Sequence, residues 1–174
     1  MRYLPIIIGF VQILWAKPLA LYLTWYDDPA TTMAIHWHTA LGSDENILLF
    51  GKQNSTYTPK SLQVGKRLVH TLALDSLEPD TEYTFQIPPD TALHRFRTAP
   101  QTLNKPLRFV IGGDAYHSKN LFKTMNEQIV KQDPLFTVIG GDIAYASSSN
   151  PFRLRSTSMN RWFAFLQDWQ EQMR

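Results

Sequence analysis

The sequence predicts a mixed fold, with an all-β sandwich over residues 21–100 and an incomplete α/β domain over residues 105–174. Three observations carry this. Six short runs of strand character, separated by turn chemistry, fall within residues 21–98. Ala99 to Pro106, with two prolines and no apolar periodicity, then breaks the pattern as a linker. Beyond it come an apolar run, a helical stripe and a second apolar run, and both runs end in Gly-Gly-Asp.

Residues 1–20 precede the sandwich. Arg2 is followed by a mostly apolar run, Leu4 to Trp15, and then Ala16. A positive start, about a dozen apolar residues and a small residue read as a signal peptide, with cleavage near Ala16 or Ala20. The alternative is an N-terminal strand packed in the core. The run falls short of the ~20 apolar residues a spanning helix needs, so no stable membrane span is expected. The location expected is secreted, or periplasmic and cell-envelope.

Charge and cysteine content narrow the function. The formal net charge is +2, yet all 15 acidic residues lie after position 20, while Arg2 and Lys17 lie before it. The rest of the chain is neutral and shows no basic stripe, which sets nucleic acid aside. The absence of cysteine excludes a disulfide scaffold and any thiolate zinc site.

The sandwich elements follow in order. Leu21 to Tyr26 is a strand closed by Asp27-Asp28-Pro29. Met33 to Thr39 alternates, with Met33, Ile35 and Trp37 on one face and His36 and His38 on the other, half-exposed face. His36 and His38 could chelate a metal, but no carboxylate or third histidine nearby completes a set. Ile47 to Phe50, Leu68 to Leu74, Tyr83 to Ile87 and His94 to Thr98 are the remaining strands. Trp37, Tyr83 and Phe85 read as core. In Leu77-Glu78-Pro79-Asp80-Thr81-Glu82-Tyr83, Pro and Asp turn the chain and the Tyr hydroxyl bonds back to the upstream backbone. This string, with Trp37 as anchor, resembles a fibronectin type III domain.

The α/β part has sharper chemistry. Leu107 to Ile111 leads into Gly112-Gly113-Asp114, and Leu135 to Ile139 into Gly140-Gly141-Asp142. Between them Ser118 to Lys131 suits a helix, with Leu121, Phe122, Met125 and Ile129 on one stripe and Asp133-Pro134 as its stop. Strand, helix, strand implies a parallel pair, and sites in parallel sheets lie beyond the carboxyl ends of the strands. Asp114 and Asp142 both fall there. Two carboxylates held close repel unless a cation or proton separates them, which points to a metal pair. The structural alternative is an Asp that caps the following helix. Tyr145, three residues after Asp142, adds a phenol, which ligates at neutral pH only to a strong Lewis acid such as ferric iron. Its alternative is a ring packed under the loop.

A fibronectin-like domain followed by strand-Gly-Asp, helix and strand-Gly-Asp-x-x-Tyr is similar to the purple acid phosphatases of the calcineurin-like metallophosphoesterase superfamily. The resemblance implies a four-layer αββα catalytic domain and a binuclear site of Fe(III) with Fe(II), Zn(II) or Mn(II). It implies that Asp114 binds the ferric ion, that Asp142 bridges the two metals, and that Tyr145 is the colouring tyrosinate. The first motif of the family ends in Gly where this chain has Tyr116, and His117 is not assigned as a ligand. The later motifs that supply Asn and His ligands, and the phosphate-binding histidines, do not occur before Arg174, so no catalytic residue is assigned.

Met159, Trp162, Phe163, Leu166, Trp169 and Met173 recur at helical spacing, with Ser156 to Ser158 offering a cap. A stripe this large beside only two strands points to a truncated catalytic domain, or to packing on the sandwich or on another chain, with homo-oligomerisation left open. The function expected is therefore that of the N-terminal part of an exported acid phosphatase acting on phosphomonoesters, with little activity in this chain alone. The alternatives are a fibronectin-like binding or adhesion module with a vestigial remnant, and a metallophosphodiesterase of the same superfamily.

Overall fold

The computed structural model describes residues 17–43, 47–116, 118–146 and 155–173. The leader through Ala16 and the loop residue His117 lie outside the described residues.

Eight strands build a two-sheet sandwich. The first sheet runs β1 (Ala20–Thr24), β2 (Met33–Ala40), β6 (Arg67–Leu74) and β5 (Lys60–Val64), all antiparallel neighbours. The second runs β4 (Ser55–Tyr57), β3 (Leu48–Phe50), β7 (Glu82–Gln86) and β8 (His94–Arg97). Six of these strands are the expected runs. The short strands β4 and β5 were not foreseen, because Ser-Thr-Tyr and Lys-Ser-Leu-Gln-Val are exposed edge strands with little apolar alternation. Pairing begins before position 21. The Leu19 amide donates to the His38 carbonyl at 2.8 Å, and Ala20 pairs with His38 in the sheet.

Side chains alternate as the pleat requires. Met33, Ile35 and Trp37 of β2 meet Leu72, Phe85 and Phe96 in the core between the sheets, and Trp37 has no exposed surface. The corner before β7 is closed as expected: the Glu78 amide donates to the Tyr83 hydroxyl at 2.8 Å. Thr98 reinforces it by donating its hydroxyl to the Glu78 carbonyl at 2.7 Å.

The second face of β2 departs from expectation. It is buried, with His36 and His38 both almost inaccessible to solvent. Helix α2 (Arg155–Trp169) lies along this sheet and covers His38, while Tyr22 stacks on His36 at 4.8 Å and Tyr26 meets it edge-on. Phe163 meets the His38 ring edge-on at 5.7 Å, and the Arg67 guanidinium sits 4.4 Å from the centre of the Phe163 ring. Met159 presses on Gly65, where even a Cβ would collide with its sulfur.

The C-terminal part is a βαβ unit. Strands β9 (Phe109–Gly112) and β10 (Phe136–Ile139) pair in parallel, with Phe136 opposite Phe109 and Ile139 opposite Gly112. Helix α1 (Lys119–Lys131) crosses between them. Its buried residues are Phe122 and Asn126, whereas Leu121 and Met125 stay largely exposed, so the expected stripe is split. Helix α2 is two-sided. Phe165, Leu166 and Trp169 turn towards Phe122 and Ala144 of the βαβ unit, while Phe163 turns towards the sandwich. Most of the apolar stripe thus packs within the chain, with Trp162 left exposed, and a 3₁₀ turn (Gln170–Met173) continues the helix. Ser156 to Ser158 fall inside the first turn of α2, so they do not form its N-cap. No described helix is long and apolar enough to cross a membrane.

Candidate metal centre

The parallel register decides where the two Gly-Gly-Asp ends lie. After the last pair, Ile139 with Gly112, the Gly140 amide still donates to the Gly112 carbonyl at 2.7 Å. The backbones remain in contact one residue further. A Cβ on Gly113 would strike the Gly140 carbonyl oxygen, so this crossing admits only glycine. Asp114 and Asp142 therefore leave from adjacent loops at the same carboxyl edge of the sheet, and both are exposed.

Both loops adopt backbone that most residues avoid. Asp114 has φ +54° and Asp142 φ +47°, conformations that Asp tolerates better than most. Ala144 and Tyr145 follow at φ +57° and φ +46°. The Tyr145 amide donates to the Ile143 carbonyl at 2.7 Å, closing a three-residue turn around Ala144. Strain of this kind persists only when the surroundings enforce it, and it gathers at functional sites. Here the enforcement is visible. Ala144 is fully buried in the cluster formed by Phe122 and Phe165, which pins the turn and leaves Tyr145 half-buried beside it.

Helix capping does not explain Asp114, because α1 begins at Lys119 with Ser118 as its N-cap. The residues whose loops leave this edge include two carboxylates and a phenol, hard oxygen groups of the type that suits a ferric ion. Among the described residues, no group of three or more His, Cys, Asp or Glu side chains is gathered to hold a metal. The donor set fits in kind and is partial in number.

His36 and His38 sit apart from this edge, on the first sheet. His36 is occupied on both nitrogens, by Thr24 Oγ1 at 2.8 Å and Thr71 Oγ1 at 3.0 Å. Burial pulls His36 down to about 4. His38 also falls to about 4, through burial first and then the nearby positive charge of Arg67. Both are neutral packing residues, His38 under Phe163 of α2 and His36 under Tyr22 and Tyr26.

Sequence reasoning missed a partly buried polar chain behind the site. Tyr116 donates to Asp168 Oδ2 at 2.6 Å, and Asn126 Nδ2 donates to the Asp168 carbonyl at 3.0 Å. Gln172 Nε2 donates to Asn126 Oδ1 at 2.9 Å, and Thr137 Oγ1 donates to Gln172 Oε1 at 3.0 Å. Burial and the Asp168 carboxylate push the Tyr116 hydroxyl well above its usual range, so it stays a donor. The one signal available was Asn126, four residues after Phe122 on the buried side of α1.

Comparison with known proteins bears on the sandwich. Residues 18–100 match the family model for the purple acid phosphatase, N-terminal domain. No curated protein matches the chain. The match starts within three residues of the first strand and stops at the linker, so it coincides with the sandwich just described. The sandwich of the described residues is thus the part of this chain that is similar to a purple acid phosphatase N-terminal domain.

Proposed function

We propose that the chain is the N-terminal part of an exported acid phosphatase that hydrolyses phosphomonoesters at a binuclear centre of Fe(III) with Fe(II), Zn(II) or Mn(II). The observation that carries this reading is the pair of adjacent Gly-Gly-Asp loops, joined to a purple acid phosphatase N-terminal domain. Asp114, Asp142 and Tyr145 are the residues that would hold metal. When bound, such a centre polarises phosphoryl oxygens and lowers the pKa of water for in-line attack. The residues of this chain contribute placement. Asp114 and Asp142 offer carboxylates from neighbouring strand ends, and Tyr145 follows Asp142 through the strained turn at Ala144. None of the three transfers a proton.

Export fits where the first strand begins. Cleavage after Ala16 leaves the Leu19 and Ala20 pairings with His38 intact, whereas cleavage after Ala20 removes both. A second reading, a binding module with a vestigial remnant, is favoured by the partial donor set among the described residues. Metal analysis separates the two. After dialysis against a ferric chelate, the chain is expected to retain iron, and D114N and D142N are expected to lose it. Iron retained equally by D114N and D142N, or by none of the three proteins, overturns the phosphatase reading and leaves the binding module.

A further inference from the structure

The loop that carries Asp114 is held from both ends. Upstream, the Gly112 carbonyl is bound by the Gly140 amide. Downstream, the chain is only two residues from Tyr116, whose ring meets Phe122 edge-on at 5.3 Å and Phe165 at 5.6 Å. Its hydroxyl reaches Asp168 near the end of α2. Between these anchors Ala115 is buried while Asp114 is exposed, so the turn projects a carboxylate from a packed base.

We propose that Asp168 is a positioning residue for the first metal carboxylate, acting through Tyr116 and Lys119 to fix the turn at Asp114. Its Oδ2 accepts from Tyr116 of that loop at 2.6 Å, and its Oδ1 pairs at 3.3 Å with Nζ of Lys119, the first residue of α1. Its carboxylate is 13% exposed, where a charge-assisted bond is short and strong. Asp168 is itself immobilised, because its carbonyl takes the Asn126 amide and Asn126 is braced through Gln172 to Thr137 of β10. Asp168 thereby connects helix α2, the Asp114 loop and the strand that leads to Asp142. Partners of this kind, bonded behind a ligand, set its orientation, and their loss typically weakens metal binding about 10–100-fold.

The proposal rests on the metal-site reading, and the test separates the two. Mn(II) alone is titrated into the full chain and free ion is followed by electron paramagnetic resonance. In parallel, amide hydrogen exchange is read across residues 113–116. D168N and Y116F are expected to weaken Mn(II) binding about tenfold or more. They are also expected to speed exchange at the Asp114 turn while leaving β2 and β6 of the sandwich unchanged. D168E is expected to restore part of the affinity. Y116F removes only a hydroxyl and carries the test should D168N fail to fold. Binding that D114N abolishes but D168N and Y116F leave intact overturns the positioning role and keeps the metal site. Binding that is absent, or indifferent to D114N, overturns the metal site and the positioning role with it.

Discussion

At the scale of single residues, two glycines of the same strand end should behave differently. Gly113 has no space for a side chain against the Gly140 carbonyl, whereas nothing lies within 4 Å of a Cβ placed on Gly112. G113A is expected to destabilise the βαβ unit by roughly 1–3 kcal/mol, while G112A stays within about 0.5 kcal/mol of the parent. Urea unfolding of the two variants checks this, and equal midpoints would show that the close crossing is not needed. In the sandwich, Y83F removes the acceptor of the Glu78 amide and should cost about 1 kcal/mol. Tyr83 and Trp37 were legible in the sequence because a turn motif and strand alternation each fix one side chain. Asp168 was not legible. Its partner Tyr116 lies 52 residues away, and nothing local ties an Asp near a helix end to a distant loop.

At the scale of elements, helix α2 explains both what the sequence concealed and what pH should do. Strand alternation placed His36 and His38 on the face away from the core, which is correct, but it carries no information about what covers that face. Phe163 of α2 covers His38, and Tyr22 and Tyr26 cover His36, so the histidines are buried and neutral. Both have folded pKa values of about 4, below the unfolded value near 6.5. The unfolded chain therefore takes up these protons first. Stability from this pair is complete above about pH 6.5 and is lost as pH falls towards 4. The groups facing His38 are Arg67, His36, His70 and Tyr22, none of them acidic, so protonation there meets no compensating anion. Thermal unfolding across pH 7.5 to 4 should show this loss, roughly 1–3 kcal/mol per histidine. H38Q should flatten the profile, and an unchanged profile would show that His38 does not titrate in this range. The split stripe of α1 has the same origin. Periodicity groups Leu121 with Phe122, but the position of α2 decides which of them is covered.

At the scale of the molecule, the chain divides into a sandwich and a βαβ unit, joined by helix α2 and by contacts such as Trp25 against Phe136. The sandwich was the more legible part, because each strand carries its own turn signals and the family match spans it. The edge strands β4 and β5 escaped because exposure removes the alternation that marks a strand. The proposed metal edge was legible as a motif, since Gly-Gly-Asp recurs at the end of each strand. Its strain at Ala144 and Tyr145 was not, because φ depends on how the buried Ala144 is packed. With only part of a metal-binding set among the described residues, the 174-residue chain is expected to hydrolyse p-nitrophenyl phosphate no faster than the buffer blank. Robust turnover with Fe(III) and Zn(II) or Mn(II) added would contradict that.

The central proposal is that the carboxyl edge of β9 and β10 contributes Asp114, Asp142 and Tyr145 to a ferric site, and the visible spectrum of the iron-loaded chain tests it most directly. A charge-transfer band that is present in the parent, lost in Y145F and lost in D142N is the result predicted. Bound iron without such a band, or a band that survives Y145F, would contradict it.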